Sequence, residues 1–470
     1  MNKKISLVKN TIIILLGKIC TQMISFFLLP LYTSYLQTSE YGIVDLINTY
    51  IMLLVPIISL QLETAVFRYL IDVREKDNDK KKIISTDVFY LLIFIIIAVL
   101  LFSIITIFIN IQYKWYILGI IIANMLSSNF MQIARGINKV KEYSISSVIS
   151  GVSTIILNVI LIVKFEFGAV GMLLAMLFAN LLSALYLFFK LKLYKEISTN
   201  CIDNKIMKSM LKYSVPLIPN GISWWIMSAS DRTIISIVLS TAANGIYAVS
   251  NKFSSIINGF MGIFNLSWSE SASVNIDSED KNEFFSSVCN DVLKLFGCGC
   301  LMLIAAMPFV FKILIKGDFD DAYNYIPILI VSCVFNMLAS QYGSIYIAKK
   351  DTKKIAITSL IAAITNIVVN LMLIKFIKIY AAAISTAISY FVIMLYRHFD
   401  IKKYVTIKYE KGIIIKMIIL FAIVLCTYYY NNFIINVFSL ITCLIFTLLT
   451  NYNIIISSFL KIKKKLLLRK

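Results

Sequence analysis

The run VFYLLIFIIIAVLLFSIITIFI, Val88 to Ile109, is 22 residues long and holds no charged side chain. A bilayer core about 30 Å thick is crossed by roughly 20 apolar residues in an α-helix, so this single run is long enough to span it. Lipid offers no partner for a free backbone N–H or C=O, and a barrel strand would alternate lipid-facing with lumen-facing residues. The run therefore reads as a transmembrane helix. Lys80, Lys81 and Lys82 precede it and Lys114 follows it, so charge brackets it on both sides.

Similar runs recur at 11–30, 43–66, 116–134, 145–163, 169–189, 214–239, 246–268, 287–314, 326–347, 355–376, 381–396, 413–430 and 434–457. Together they predict an all-α, polytopic membrane protein of about 14 spans, with short connectors. An apolar share of 59% and a mean hydropathy of +0.84 agree, because soluble domains are only about half apolar. The first run follows Lys3, Lys4 and Lys9 as a signal sequence would. It is too long for a typical signal core and ends without a small-x-small cleavage site, so it reads as an uncleaved first span.

The net charge of +20 is not a nucleic-acid signature, because its placement follows the connectors. With a cytoplasmic N-terminus, the outer connectors hold only Lys114, Lys164, Lys312, Lys316, Lys375 and Lys378, while the other connectors and the tails carry the bulk of the Lys and Arg. That asymmetry is the positive-inside pattern and predicts a plasma-membrane protein with both termini cytoplasmic. The eight cysteines are scattered, and His398 is the sole histidine. Neither a disulfide framework nor a metal site is legible, and no cofactor is expected.

A repeat lies beneath the spans. Leu36-Gln-Thr-Ser-Glu-Tyr-Gly-Ile-Val-Asp-Leu-Ile-Asn48 aligns with Leu239-Ser-Thr-Ala-Ala-Asn-Gly-Ile-Tyr-Ala-Val-Ser-Asn251, pairing Gly42 with Gly245 and Asn48 with Asn251. Asn158-Val-Ile-Leu-Ile162 aligns with Asn370-Leu-Met-Leu-Ile374. Copies separated by six spans enter the membrane from the same side, which predicts a parallel pseudo-repeat of two six-helix lobes. The predicted organisation is an N-terminal lobe over 1–200, a second lobe over 201–402, and an appended helix pair with a basic cytoplasmic tail over 403–470.

Polar and charged residues inside the spans are the candidates for function. Lys18, Arg232, Lys252 and Lys294 would each cost about 2.5–3.5 kcal/mol at a helix centre unless partnered or wetted. Lys18, Gln22 and Ser25 share one helical face, as do Asn251, Ser255, Asn258, Gly262 and Asn265. Such stripes either line a path for a polar cargo or bond one helix to the next. Asp45, Glu63 and Asp231 are the acidic candidates for a coupling proton or sodium ion. Pro30, Pro56, Pro216 and Pro219 mark bends or hinges.

Three passages carry a family resemblance: Asn10-Thr-Ile-Ile-Ile-Leu-Leu-Gly17-Lys18 with Leu29-Pro30-Leu-Tyr-Thr and Glu40-Tyr-Gly42; Val215-Pro-Leu-Ile-Pro219-Asn with Ser230-Asp231-Arg232; and Asn244-Gly-Ile-Tyr247-Ala-Val-Ser-Asn-Lys252. The chain resembles the polysaccharide flippases, the O-antigen and capsule-precursor translocases of the multidrug/oligosaccharidyl-lipid/polysaccharide exporter superfamily. The resemblance implies an inward-open cavity between two lobes that receives an undecaprenyl-diphosphate-linked oligosaccharide and releases it outside. Lys18, Gln22, Arg232, Asn251, Lys252 and Asn258 are then the expected substrate-binding residues, since Lys and Arg stabilise a diphosphate by charge-assisted hydrogen bonds. In related peptidoglycan-precursor flippases a cationic first-span residue faces the cavity. The implied partners are the lipid-linked oligosaccharide and membrane lipids, with a polysaccharide polymerase and glycosyltransferases as candidate protein partners.

Two other functions fit parts of the sequence. A drug/cation antiporter of the same superfamily would share the span plan but is expected to have an acidic, aromatic cavity. A membrane glycosyltransferase or polymerase would use the Asp-x-Asp within Gly317-Asp318-Phe319-Asp320-Asp321 to hold a metal and a sugar diphosphate. The outer connectors are too short to build a catalytic domain, so a transporter rather than an enzyme is the reading.

Overall fold

A computed structural model of the chain describes residue 24 and residues 26–452. Among the described residues there are 17 α-helices and no strand. The chain forms two compact units, Met1–Gly245 and Ile246–Lys470. The first holds α1 (Leu29–Tyr35), α2 (Thr38–Ile58), α3 (Leu62–Asp72), α4 (Asp77–Phe108), α5 (Lys114–Gly136), α6 (Val140–Asn158), α7 (Gly168–Lys190), the short α8 (Leu193–Glu196), α9 (Asn204–Ser214) and α10 (Ile218–Val238). The boundary falls within α11 (Thr241–Asn275). Beyond it come α12 (Lys281–Leu314), α13 (Ile326–Ala348), α14 (Thr352–Ile377), α15 (Ile379–Asp400), α16 (Lys411–Tyr430) and α17 (Phe433–Thr450).

Eleven helical segments among the described residues are long and apolar enough to cross a membrane. The predicted spans 214–239 and 246–268 coincide with α10 and α11, and most of 11–30 lies outside the described residues. Helix α4 shows why lipid is the solvent. Ile84, Val88, Leu91, Ile95 and Ala98 form a buried stripe, while Leu92, Ile96, Leu100, Ile104 and Phe108 form an exposed one at four-residue spacing. A helix on a soluble protein carries polar residues on its outer face. Here both faces are apolar, so the outer one faces acyl chains. The chain is a multi-pass membrane protein.

The predicted span 43–66 is not one helix. It divides into α2 and α3 at Ser59–Gln61, where Leu60 and Gln61 take φ of 51° and 53°. Left-handed backbone at two successive non-glycine residues is unfavourable, so the surroundings must hold it in place. Pro56 lies inside α2 one turn earlier; its carbonyl accepts the Gln61 amide, and the Gln61 side-chain amide donates to the Leu217 carbonyl at 3.3 Å. Helix α4 also begins at Asp77 rather than near Val88, so residues 77–87, predicted as connector, are helical.

In the second unit, the segment 405–410 joining α15 to α16 carries no helix. Its alternate amides bond to one face of α12. Thr406 N donates to Asn282 Oδ1 at 2.8 Å, Lys408 N to Ser286 Oγ at 2.9 Å, and Glu410 N to Asn290 Oδ1 at 3.1 Å. Asn290 Nδ2 returns a bond to the Lys408 carbonyl at 2.8 Å.

Candidate substrate and coupling-ion site

The motif residues of the first half converge on the seam between α2 and α10. Glu40 serves two helix N-termini: it accepts the Gln37 amide at 3.0 Å in a capping box on α2, and the Ala169 amide at the start of α7 at 3.3 Å. Two residues on, Gly42 leaves room for a backbone crossing. A Cβ there would overlap the Thr241 carbonyl and approach the Gly245 amide nitrogen to 2.6 Å, while a Cβ on Gly245 would overlap the Thr38 carbonyl and approach Gly42 N to 3.1 Å. The contact is reciprocal under the sequence repeat, since Gly42 aligns with Gly245 and Thr38 with Thr241. Asn244 Nδ2 donates to the Gly42 carbonyl at 2.8 Å and fastens the crossing.

One turn further along α2, Asp45 Oδ2 lies 2.7 Å from Arg232 Nε of α10. The side chains are 9% and 19% exposed, so this is a largely desolvated ion pair. Next, Trp225 Nε1 donates to the Thr49 carbonyl at 2.7 Å, and the Tyr50 and Trp225 rings lie 5.9 Å apart. Helices α2 and α10 thus run antiparallel, tied at successive levels from Asp45–Arg232 to Gln61–Leu217. A coupling-ion candidate and a substrate-binding candidate here hold each other.

The other candidates separate. Lys18 and Gln22 lie outside the described residues. Asp231 is buried beside Arg232 in sequence, on α10. Asn251, Lys252 and Asn258 are partly buried on α11. Asn251 Oδ1 accepts the Ser254 hydroxyl at 2.6 Å, and Asn258 Oδ1 accepts the Asn336 amide of α13 at 3.0 Å. Lys294 forms an ion pair with Glu410. Glu63, at the start of α3, accepts the Ser59 hydroxyl at 2.8 Å.

Two charged residues escaped the sequence reading because both were placed in connectors. Asp87 is fully buried on α4, facing Asn129 of α5. Arg397, 6% exposed on α15, donates to Thr358 Oγ1 from Nε at 3.0 Å and Nη2 at 2.8 Å, to the Ala339 carbonyl at 2.8 Å and to Ser359 Oγ at 3.3 Å. The signal for Asp87 is present in retrospect: Ile83-Ile84-Ser85-Thr86-Asp87-Val88 carries a single charge, so the apolar run could have been extended through it.

The second unit also contains a cavity of about 470 Å³ bounded by α12, α13, α15 and α16. Its walls are apolar, including Leu338, Phe391, Met417 and Phe421, with His398, Tyr342 and Tyr409 as the polar members. The Tyr342 and Tyr409 hydroxyls bond to each other. Burial, reinforced by the neighbouring Tyr342 phenol, pushes the Tyr409 phenol well above its usual range, so it stays neutral.

Residues 7–268 match the model of a family described as polysaccharide biosynthesis protein. The chain belongs to that family. Among solved structures, it matches the lipid II flippase MurJ in an inward closed conformation, with a TM-score of 0.67 and 17% identity over 95% of this chain and 100% of that one. It also matches a multidrug resistance MATE family transporter of the MOP superfamily in an inward-facing conformation, with a TM-score of 0.67 and 13% identity over 82% of this chain and 95% of that one. The fold is therefore that shared by MATE transporters and MurJ. No curated protein matches the chain.

Proposed function

We propose that this family member is a flippase that carries undecaprenyl-diphosphate-linked oligosaccharide from the cytoplasmic to the outer face of the plasma membrane, and that it is not an enzyme. The observation that carries the reading is a lipid-flippase fold over nearly the whole chain in a member of a polysaccharide biosynthesis family. The cationic residues Lys18, Arg232 and Lys252, with Gln22, Asn251 and Asn258, are the proposed contacts for the diphosphate and sugar. Arg232 would exchange its bond to Asp45 for one to the diphosphate, which supplies the same charge. The apolar cavity bounded by α16 offers a place for part of the lipid chain. The asymmetry of Lys and Arg supports cytoplasmic termini, with basic inner connectors available to glycosyltransferases and a polymerase.

The test is accumulation of lipid-linked oligosaccharide on the cytoplasmic leaflet in cells with the intact chain, a deletion, Lys18→Ala or Arg232→Ala. Build-up in the deletion and both variants, at normal protein levels, is the expected result. A deletion without build-up, in cells lacking any second flippase, removes the function; build-up in the deletion alone keeps the function and discards these contacts. A drug/cation antiporter is the second reading, favoured by the MATE likeness, by the buried carboxylate Asp87 and by the half-buried Glu63. Extrusion of cationic dyes by the purified protein under an ion gradient, without movement of lipid-linked sugar, would establish it instead.

A further inference from the structure

The apolar cavity of the second unit changes character towards one end. Over most of its depth Leu338, Phe391, Met417 and Phe421 give it hydrocarbon walls. Phe391 and Leu395 of α15 and Ile418 of α16 line it and are also exposed, so it opens sideways between these two helices. At the end where α15 stops and α16 starts, His398, Tyr342 and Tyr409 form a polar collar. The Tyr342 and Tyr409 hydroxyls bond to each other, which uses one of their two hydrogens and leaves the second for a further acceptor. His398 lies beside both rings, at 5.8 and 6.0 Å between centroids, and has no hydrogen bond among the described residues.

Positive charge follows one turn beyond the collar. Lys402 comes four residues after His398, past the end of α15, and lies over the Phe399 ring at 4.8 Å. Lys411 precedes Ile414 and Ile418 by three and seven residues, on the face of α16 that lines the cavity. Both lysines are exposed. The carboxylates nearest to them in sequence are neutralised: Asp400 pairs with Lys354 and Lys403, and Glu410 with Lys294. This end therefore offers an anion two cations and offers a choline or ethanolamine ammonium no free carboxylate.

Hydrocarbon walls, neutral hydrogen-bonding groups and cations succeed one another in the order of a glycerophospholipid: acyl chain, ester carbonyl, phosphate. A polyprenyl diphosphate passes directly from hydrocarbon to phosphate and brings the collar no carbonyl. A fatty acid ends at its carboxylate, short of the lysines. Size agrees with the first of these. A methylene group takes up about the space of a water molecule, roughly 30 Å³, so a cavity of about 470 Å³ holds about 16 of them, or one phospholipid acyl chain. An undecaprenyl chain is far too long to enter whole.

We infer that the cavity is a site for one anionic glycerophospholipid of the adjacent leaflet, with one acyl chain inside, an ester carbonyl at His398 and the tyrosine pair, and the phosphate against Lys402 and Lys411. Such a lipid fills the gap between α15 and α16, and it must leave before any part of a cargo chain can enter. That competition rests on the flippase reading; the occupancy does not.

The test uses the purified full chain in detergent micelles without cargo. The probe is phosphatidylglycerol with a photoactivated diazirine midway along one acyl chain, and labelled residues are located by peptide mass spectrometry. Saturable labelling of Phe391, Met417 or Phe421, displaced at least about tenfold better by unlabelled phosphatidylglycerol than by phosphatidylcholine, supports the site, while labelling of the exposed Leu100 and Ile104 of α4 should not saturate. Lys402→Gln combined with Lys411→Gln should weaken phosphatidylglycerol by about tenfold or more, the factor that two lysines at a membrane surface are worth, and the exposed Lys195→Gln should leave it unchanged. Val334→Trp, which fills part of the cavity, should abolish the saturable labelling. If the cavity labelling does not saturate, if phosphatidylcholine displaces the probe equally well, or if undecaprenyl phosphate displaces it as well as or better than phosphatidylglycerol, the inference fails. Should Val334→Trp not fold, the competition in the wild-type chain decides. Because no oligosaccharide cargo is present, failure here leaves the flippase assignment intact, and failure of the cellular assay leaves this result intact.

Discussion

Neutralising one member of the Asp45–Arg232 pair should harm the protein more than neutralising both. At 2.7 Å and an effective dielectric of about 20, the charges attract by about 6 kcal/mol. Desolvation costs several kcal/mol for each ion, so the pair as a whole contributes little net stability. Asp45→Asn leaves a guanidinium that is 19% exposed, and Arg232→Gln leaves a carboxylate that is 9% exposed, each without its countercharge. Each single variant should lose about 3–5 kcal/mol. The double variant keeps the volumes and removes both charges, so it should lose no more than either single one, a coupling above about 3 kcal/mol. Unfolding in mixed micelles titrated with dodecyl sulfate, followed by tryptophan fluorescence, gives the three values. Should the double loss equal the sum of the single losses to within about 0.5 kcal/mol, the two charges do not act as a pair.

Other outcomes follow from the packing. Gly42→Ala and Gly245→Ala put a methyl group into opposing backbone and should destabilise by at least about 1–3 kcal/mol in the same titration. Gly262→Ala, which meets nothing within 4 Å, should be neutral or gain a few tenths of a kcal/mol from the lower entropy of the unfolded chain. Arg397→Met should cost about 1–3 kcal/mol by leaving Thr358, Ser359 and the Ala339 carbonyl short of a donor, and Arg397→Lys should not rescue it, because one ammonium cannot reproduce the fork. Asp277, in the connector after α11, forms an ion pair with Lys349 that holds its carboxyl below the ordinary range. A depressed folded-state pKa contributes stability above the unfolded value and loses it as pH falls through the folded one. Protection from hydrogen exchange around residues 276–280, corrected for the intrinsic rate at each pH, should therefore persist through mildly acid solution and fall only as pH drops below the ordinary carboxyl range, and should already be low at neutral pH in Asp277→Asn.

The helices were legible because lipid leaves no choice: an apolar run of the right length without charge has one stable backbone form, and α4 to α7 and α12 to α16 lie where the runs predict. Their ends were less legible. Charge near a terminus looks the same in a connector as in the last buried turn, which is why Asp87 and Arg397 were assigned to connectors. The α2–α3 break escaped for a related reason. Pro56 hinted at it, but the left-handed residues are Leu60 and Gln61 rather than glycine, and their apolar neighbours continue the run. Of the candidate site, single residues could be chosen from their chemistry, and the Asn stripe from its spacing. The pairing of Asp45 with Arg232 could not, because it joins residues far apart in the chain through the packing of α2 on α10.

The attachment of the last two helices works like a vernier. Four residues of α12 advance about 6 Å, and two residues of extended chain advance about 6.4–6.8 Å. The two scales nearly agree, so Asn282, Ser286 and Asn290 can each meet an alternate amide of 406–410. The residual error accumulates to roughly an ångström over three rungs, and a fourth would fall outside hydrogen-bonding range. The fastening ends where α16 begins at Lys411, before the mismatch outgrows hydrogen-bonding range. It also imposes a parity rule: one residue inserted between Thr406 and Glu410 would turn the following amides away from α12, whereas two could be absorbed as a bulge.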